Sequence, residues 1–199
     1  MPKVVDHYER KKIIAEACIR MIDKTGVEKT TLREIAREVG YSLGSVQYYF
    51  PKQEDLFSFT IQMLYERTAE RINNVVLEGN TTIENAVSML TQYVQIENEE
   101  QRIENNVWVK FVLVSEKQRE YKEMKDRYVA MCYRFVEDAL NMLEAGHCLA
   151  DGESKQSELE NLTIFMNGIV FHTIIFPESY DEDHVKKQIR SYLDRICRP

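Results

Sequence analysis

Glycine and proline are scarce in this chain, seven and four among 199 residues. That scarcity excludes collagen-like and low-complexity fibres, and it leaves few of the turns that a sandwich of many short strands needs. Cysteine is scarce too. Cys18, Cys132, Cys148 and Cys197 stand apart, without a CxxC pair or a Cys/His spacing suited to a metal, so reduced thiols, no metal and no cofactor are expected. No apolar run approaches the ~20 residues of a membrane span, and the first residues lack the apolar stretch of a secretion signal. A soluble, cytoplasmic protein with no membrane partner is the expectation. HExxH, a nucleophile elbow, a Gly-rich phosphate loop and triad spacing are all missing, which points away from an enzyme.

What remains is a composition of 44% hydrophobic and 30% charged residues, suited to a helix-rich globular protein. A chain of this length buries about 70% of its unfolded surface without a staple. The formal charge of −7 argues at first against nucleic acid, which needs a basic face. The charge is uneven, however. Residues 1–58 hold ten Lys/Arg and nine Asp/Glu, a net of +1, and the rest of the chain carries 16 and 24, a net of −8. A near-neutral head on an acidic body fits a protein in which only the head touches DNA.

Apolar periodicity predicts helices throughout, an all-α fold of about nine. Ile13, Ile14, Ala17, Cys18 and Met21 follow the spacing of a one-sided helix that Gly26 ends. Thr31 and Glu34 form a capping box ahead of a helix to Val39. Gly40-Tyr41-Ser42 breaks it, and Ser42 caps a second short helix to about Phe50. A long helix over 53–77 follows, then five more over 82–98, 102–117, 119–145, 155–176 and 182–197. Gly79-Asn80 and the stretch from Gly146 to Ser154 are the main joints.

Two short helices around a glycine turn are the mechanics of a helix-turn-helix. With Ile35, Val39, Val46 and Phe50 inward, Ser42, Ser45, Gln47, Tyr48 and Tyr49 are left outward, as groups that hydrogen-bond phosphates and base edges. Lys3, Arg10, Lys11 and Lys12 are candidates to lie along the DNA backbone. The run Thr30-Thr31-Leu32-Arg33-Glu34-Ile35-Ala36, continued by Gly40-Tyr41-Ser42-Leu43-Gly44-Ser45-Val46-Gln47-Tyr48-Tyr49-Phe50, resembles the N-terminal signature of the TetR family of transcriptional regulators. Met1-Pro2-Lys3-Val4 and Tyr48-Tyr49-Phe50 are similar to the choline- and betaine-responsive repressors of that family. The resemblance implies DNA contacts at Thr31, Tyr41, Ser42, Gly44, Ser45, Gln47, Tyr48 and Tyr49. Gln47 replaces a common Tyr and could pair with adenine; Gln53 stands where a Lys is usual, with Lys52 one place earlier as a candidate phosphate contact.

The resemblance also implies a three-helix DNA-binding head, 1–52, on a helical ligand-binding and dimerisation body, 53–199. Met89, Tyr93, Trp108, Phe111, Tyr128, Cys132, Phe165 and Phe171 are candidates for an apolar ligand cavity. His172, set among Phe171, Ile174, Ile175 and Phe176, is expected to be a satisfied buried histidine. Leu162, Phe165, Met166, Ile169, Val170 and Thr173, with Val185, Ile189, Tyr192, Leu193 and Ile196, form two stripes that are candidates for a homodimer interface. The expected function is sequence-specific regulation of transcription, most simply a repressor released from operator DNA by a small-molecule effector. An activator, or an adaptor acting through a protein partner on the same fold, remains the alternative.

Overall fold

A computed structural model describes residues 7–75, 80–94, 96–115, 121–150 and 155–198, the side chains of 127 and 128 excepted. Lys3, Tyr128 as a side chain, Gly79 and the joint residues Asp151 to Ser154 therefore lie outside the described residues. Nine α-helices occur among the described residues: α1 (His7–Thr25), α2 (Leu32–Val39), α3 (Leu43–Tyr49), α4 (Gln53–Asn73), α5 (Thr82–Val94), α6 (Glu99–Ser115), α7 (Lys122–Ala145), α8 (Lys155–Ile175) and α9 (Glu182–Ile196). A single 3-10 turn, Val27–Lys29, joins α1 to α2. Residue pairing outside helices is an isolated antiparallel bridge, Leu149 to Cys197.

The helix ends follow from local chemistry. α5 stops at Val94, short of the expected residue 98, because Asn98 serves the next helix instead. Its side-chain oxygen accepts the Gln101 amide at 2.9 Å and its carbonyl accepts the Arg102 amide at 3.0 Å, so α6 begins earlier than expected. At the start of α2 only half of the capping box forms. The Thr31 hydroxyl accepts the Glu34 amide at 3.3 Å, but the Glu34 carboxylate turns to Arg37 at 2.9 and 3.1 Å, a charge-assisted bond one turn along. The reciprocal box appears at α5: Glu84 accepts the Thr81 amide at 2.7 Å, and Thr81 accepts the Glu84 amide at 3.3 Å.

The chain divides into two compact units, residues 1–64 with 106–125, and residues 65–105 with 126–199. The division falls inside α4, α6 and α7. In the first unit Ile14, Cys18 and Ile22 of α1 are buried, as are Ile35 of α2, Val46 of α3, Phe50 and Leu56. Phe57, Phe111 and Tyr121 form an aromatic triangle with centroids 5.5 to 6.2 Å apart. The end of α1 is tied to α6 in this unit, since Asn106 hydrogen-bonds the Asp23 carboxylate and Lys110 donates to the Asp23 carbonyl.

In the second unit α5 packs against both α8 and α9. Leu90, Val136, Leu140, Leu143, Leu162, Met166, Val185, Ile189 and Leu193 are buried. Glu104, 1% exposed as a side chain, is held by Arg67 at 2.8 Å and Arg71 at 2.9 Å. This triad offsets part of the cost of burying a carboxylate.

Candidate functional site

The surface that α2 and α3 present is set by two caps and one left-handed residue. Thr30 is fully buried and its hydroxyl donates to the Gly26 carbonyl at 2.8 Å, which fixes the entry to α2. Gly40 ends α2 at φ +71°, and the amide of Tyr41 returns to the Ala36 carbonyl at 2.9 Å. Only a residue without a Cβ takes that turn at no steric cost. The Ser42 hydroxyl then accepts the Ser45 amide at 3.1 Å and starts α3. Val46 and Phe50 are buried one turn apart, so α3 is anchored by one face and free on the other.

On that free face Ser42, Gly44, Ser45, Gln47 and Tyr48 are exposed, Tyr48 to 70%, whereas Tyr49, Tyr41 and Thr31 are half-buried. Thr31 is partly committed to capping α2. The Tyr41 hydroxyl is bonded by Arg10 of α1, whose guanidinium also lies 5.2 Å from the centre of the Tyr41 ring. Lys52 is exposed, and its backbone amide donates to Asp55 at 3.0 Å, capping α4. Arg10, Lys11 and Lys12, the candidates to lie along the DNA backbone, each have an intramolecular engagement. Lys11 lies 5.4 Å from the Phe50 ring centre and 5.7 Å from that of Phe59. Lys12 pairs with Glu9 at 3.0 Å.

The sequence missed His7. Its ring lies 5.5 Å from that of Tyr48 and 4.7 Å from that of Tyr49, a contact across 41 positions of sequence that no local pattern signals.

The expected ligand residues occur in both units. Trp108 and Phe111 lie in the first unit, where Phe111 is fully buried against Phe57 and Tyr121. Met89, Tyr93 and Cys132 are buried in the second. There the Tyr93 hydroxyl donates to the Asn167 side-chain oxygen at 2.9 Å, and burial, with Cys132 alongside, pushes its ionisation well above the usual tyrosine range. Phe135 stands beside both Tyr93 and Tyr65. Apolar spacing marks Phe135 and Tyr65 no differently from any core aromatic. Phe171 is half-exposed.

Phe165 lines a cavity of about 230 Å³ with Gly168, Ile169, His172, Tyr180 and Gln188. His172 is therefore not the buried histidine expected: it is exposed, 5.6 Å from the Phe176 ring and 5.0 Å from the Tyr180 ring.

The two stripes expected at a dimer interface lie mostly inside the protomer. Leu162, Met166, Ile169, Val170 and Thr173 are buried within the chain itself, as are Val185, Ile189, Tyr192, Leu193 and Ile196; Phe165 is half-buried, 4.7 Å from Tyr192. The apolar residues that α8 leaves outside are Ile164, Phe171 and Ile175, followed by Phe176, each 46 to 63% exposed.

Known proteins share both halves of this arrangement. Residues 14–58 match the family model "Bacterial regulatory proteins, tetR family", and residues 83–198 match "BetI-type transcriptional repressor, C-terminal". The HTH-type transcriptional regulator PksA of Bacillus subtilis (strain 168) is 30% identical over 197 residues, 99% of this chain and 94% of its own length. BetI of Rhizobium meliloti (strain 1021) is 38% identical over 64 residues, 32% of each chain. Among solved structures, a transcriptional regulator from Saccharomonospora viridis in complex with choline superposes with a TM-score of 0.80 at 17% identity, over 96% of this chain and 100% of that one. A relative matched nearly end to end and a C-terminal family model covering more than half the chain, on a head built as a helix-turn-helix, place the protein in the TetR family of DNA-binding transcriptional regulators.

Proposed function

We propose that this regulator is a homodimeric repressor, with residues 1–52 as the DNA-binding head and 53–199 as a body that binds a small-molecule effector and releases the operator. The observation that carries the DNA half is the exposed run Ser42, Ser45, Gln47 and Tyr48 on a helix held from behind by Val46 and Phe50. Tyr48 and the two serines suit phosphate oxygens, and Gln47 suits the N6/N7 edge of adenine. One seven-residue helix reads few bases, so specificity requires two heads at half-sites ~34 Å apart or a multiple of that.

The second copy is best accommodated by the face of α8 that carries Ile164, Phe171 and Ile175. Three large apolar side chains at this exposure on one helix face are unusual for a monomer. Release then requires the effector to favour the DNA-incompetent dimer by about 5.5 kcal/mol to move it from 99:1 to 1:99. We assign α4, one of the three helices within which the two units divide, as the lever. Choline is the first effector to test, because a structural neighbour binds it and because the cavity beside Phe165 has Phe165 and Tyr180 as aromatic walls suited to a quaternary ammonium.

The experiment is selection of a duplex from a randomised pool, followed by titration of choline against the complex. Tyr48→Ala and Gln47→Ala should weaken binding to the selected duplex with the dimer intact. Unchanged affinity in both would remove α3 as the reading helix, and tight binding that activates a reporter would replace repression by activation.

A further inference from the structure

We propose that His7 is a positioning residue of the DNA-reading surface: from α1 it holds the rings of Tyr48 and Tyr49 in the orientation in which α3 meets DNA. The inference rests on the DNA-binding reading of α3 and adds a residue outside the helix-turn-helix to it.

Three observations combine. The rings of His7, Tyr48 and Tyr49 form a closed triangle, with centroids 5.5, 4.7 and 5.1 Å apart and interplanar angles of 62°, 58° and 85°; the two contacts of Tyr48 are edge-to-face and that of His7 with Tyr49 is tilted, all at separations where ring contacts are favourable. The triangle is not a core. His7 is exposed and Tyr48 is 70% exposed, so little area leaves water and the contact adds little to folding. Its effect is on orientation. Tyr48 and Tyr49 are consecutive and diverge by ~100° around the helix, and His7 is a group outside α3 that touches both rings.

The placement on α1 is not isolated. Arg10, one turn after His7 on the same helix, bonds the Tyr41 hydroxyl and covers its ring. Residues three apart share a helix face. One edge of α1 therefore touches both the turn before α3 and the aromatic pair at its end, and supports each from outside. A tyrosine at 70% exposure loses rotamer freedom when it is immobilised on a partner. A ring already restrained by His7 has less to lose, and that saving is realised only on DNA.

The test uses the full-length protein and a duplex selected from a randomised pool by the wild type. His7→Ala should weaken binding to that duplex about tenfold, equivalent to about 1.4 kcal/mol, with an unchanged melting temperature. His7→Phe, which keeps a ring against both tyrosines, should restore affinity to within about threefold. In a Tyr48→Ala/Tyr49→Ala background, His7→Ala should add no further loss, because the rings it positions are gone.

An equal tenfold loss in that background overturns the proposal, since His7 would then act on DNA or on folding without the tyrosines. So does wild-type affinity in His7→Ala, or a loss that follows a fall in melting temperature. A wild type that enriches no duplex would instead overturn the reading of α3 itself.

Discussion

The Ser42 hydroxyl lies 2.8 Å from the Ser45 hydroxyl and accepts the Ser45 amide at 3.1 Å. Ser42 is thus bound first to its own helix, and the residue it holds in place, Ser45, faces outward at the start of α3. A residue type that family resemblance assigns to DNA contact has here a folding role as well, because an exposed N-cap is also the first point of a reading helix to reach a phosphate.

Removing either device at this turn should be measurable without DNA. Ser42→Ala deletes the cap and is expected to cost about 1 kcal/mol. Gly40→Ala forces a Cβ into the left-handed region at φ +71°, also at about 1 kcal/mol. Urea unfolding of each variant checks both values. A Gly40→Ala midpoint equal to wild type would mean that α2 can end by another route.

Glu104 should be the most sensitive charged residue of the second unit. Glu104→Ala leaves Arg67 and Arg71, each with about a quarter or less of its side chain exposed, without their buried partner, and a loss of about 3 kcal/mol is expected. Replacing Arg67 alone by Met should cost less, since Arg71 still neutralises the carboxylate. Equal midpoints for wild type and Glu104→Ala would show that the triad contributes nothing net.

Two residues two positions apart on α8, one buried and one exposed, should separate dimerisation from folding. Phe171→Asp places a charge on an exposed apolar side chain and should yield folded monomers by sedimentation. Ile169→Asp buries a carboxylate at a position only 5% exposed and should unfold the chain. A Phe171→Asp protein that remains dimeric would move the interface elsewhere.

Cys18 should be the least reactive thiol under native conditions. Burial pushes its ionisation up to about 12, against a partial opposing effect of the Thr60 hydroxyl. A thiol reagent at pH 8 should modify the half-buried Cys148 first. Because the folded value lies above the ordinary 9.0, the stabilisation is complete below pH 9 and is lost as pH rises towards 12. Cys18→Ala should flatten that alkaline decline in unfolding midpoint, and an unchanged slope would remove Cys18 as its cause.

The fold of the head is legible in the chain alone. Each of its devices is local: the caps at Thr31 and Ser42, the left-handed Gly40, and the inward pair Val46 and Phe50 one turn apart. Interactions that span three or four residues are written in the spacing of the chain. The full capping box expected at Thr31 formed at Thr81 instead, because Arg37 competes for Glu34.

The body depends on packing between helices. α8 is apolar on nearly every side, so periodicity could not tell Met166 and Ile169, which are core, from Ile164 and Phe171, which face outward. That choice is made by the packing of α5 against α8 and α9. The same holds for His7, whose contact with Tyr48 crosses from α1 to α3. Proximity between residues far apart in sequence comes from packing that involves many side chains at once, and no short window of the chain encodes it.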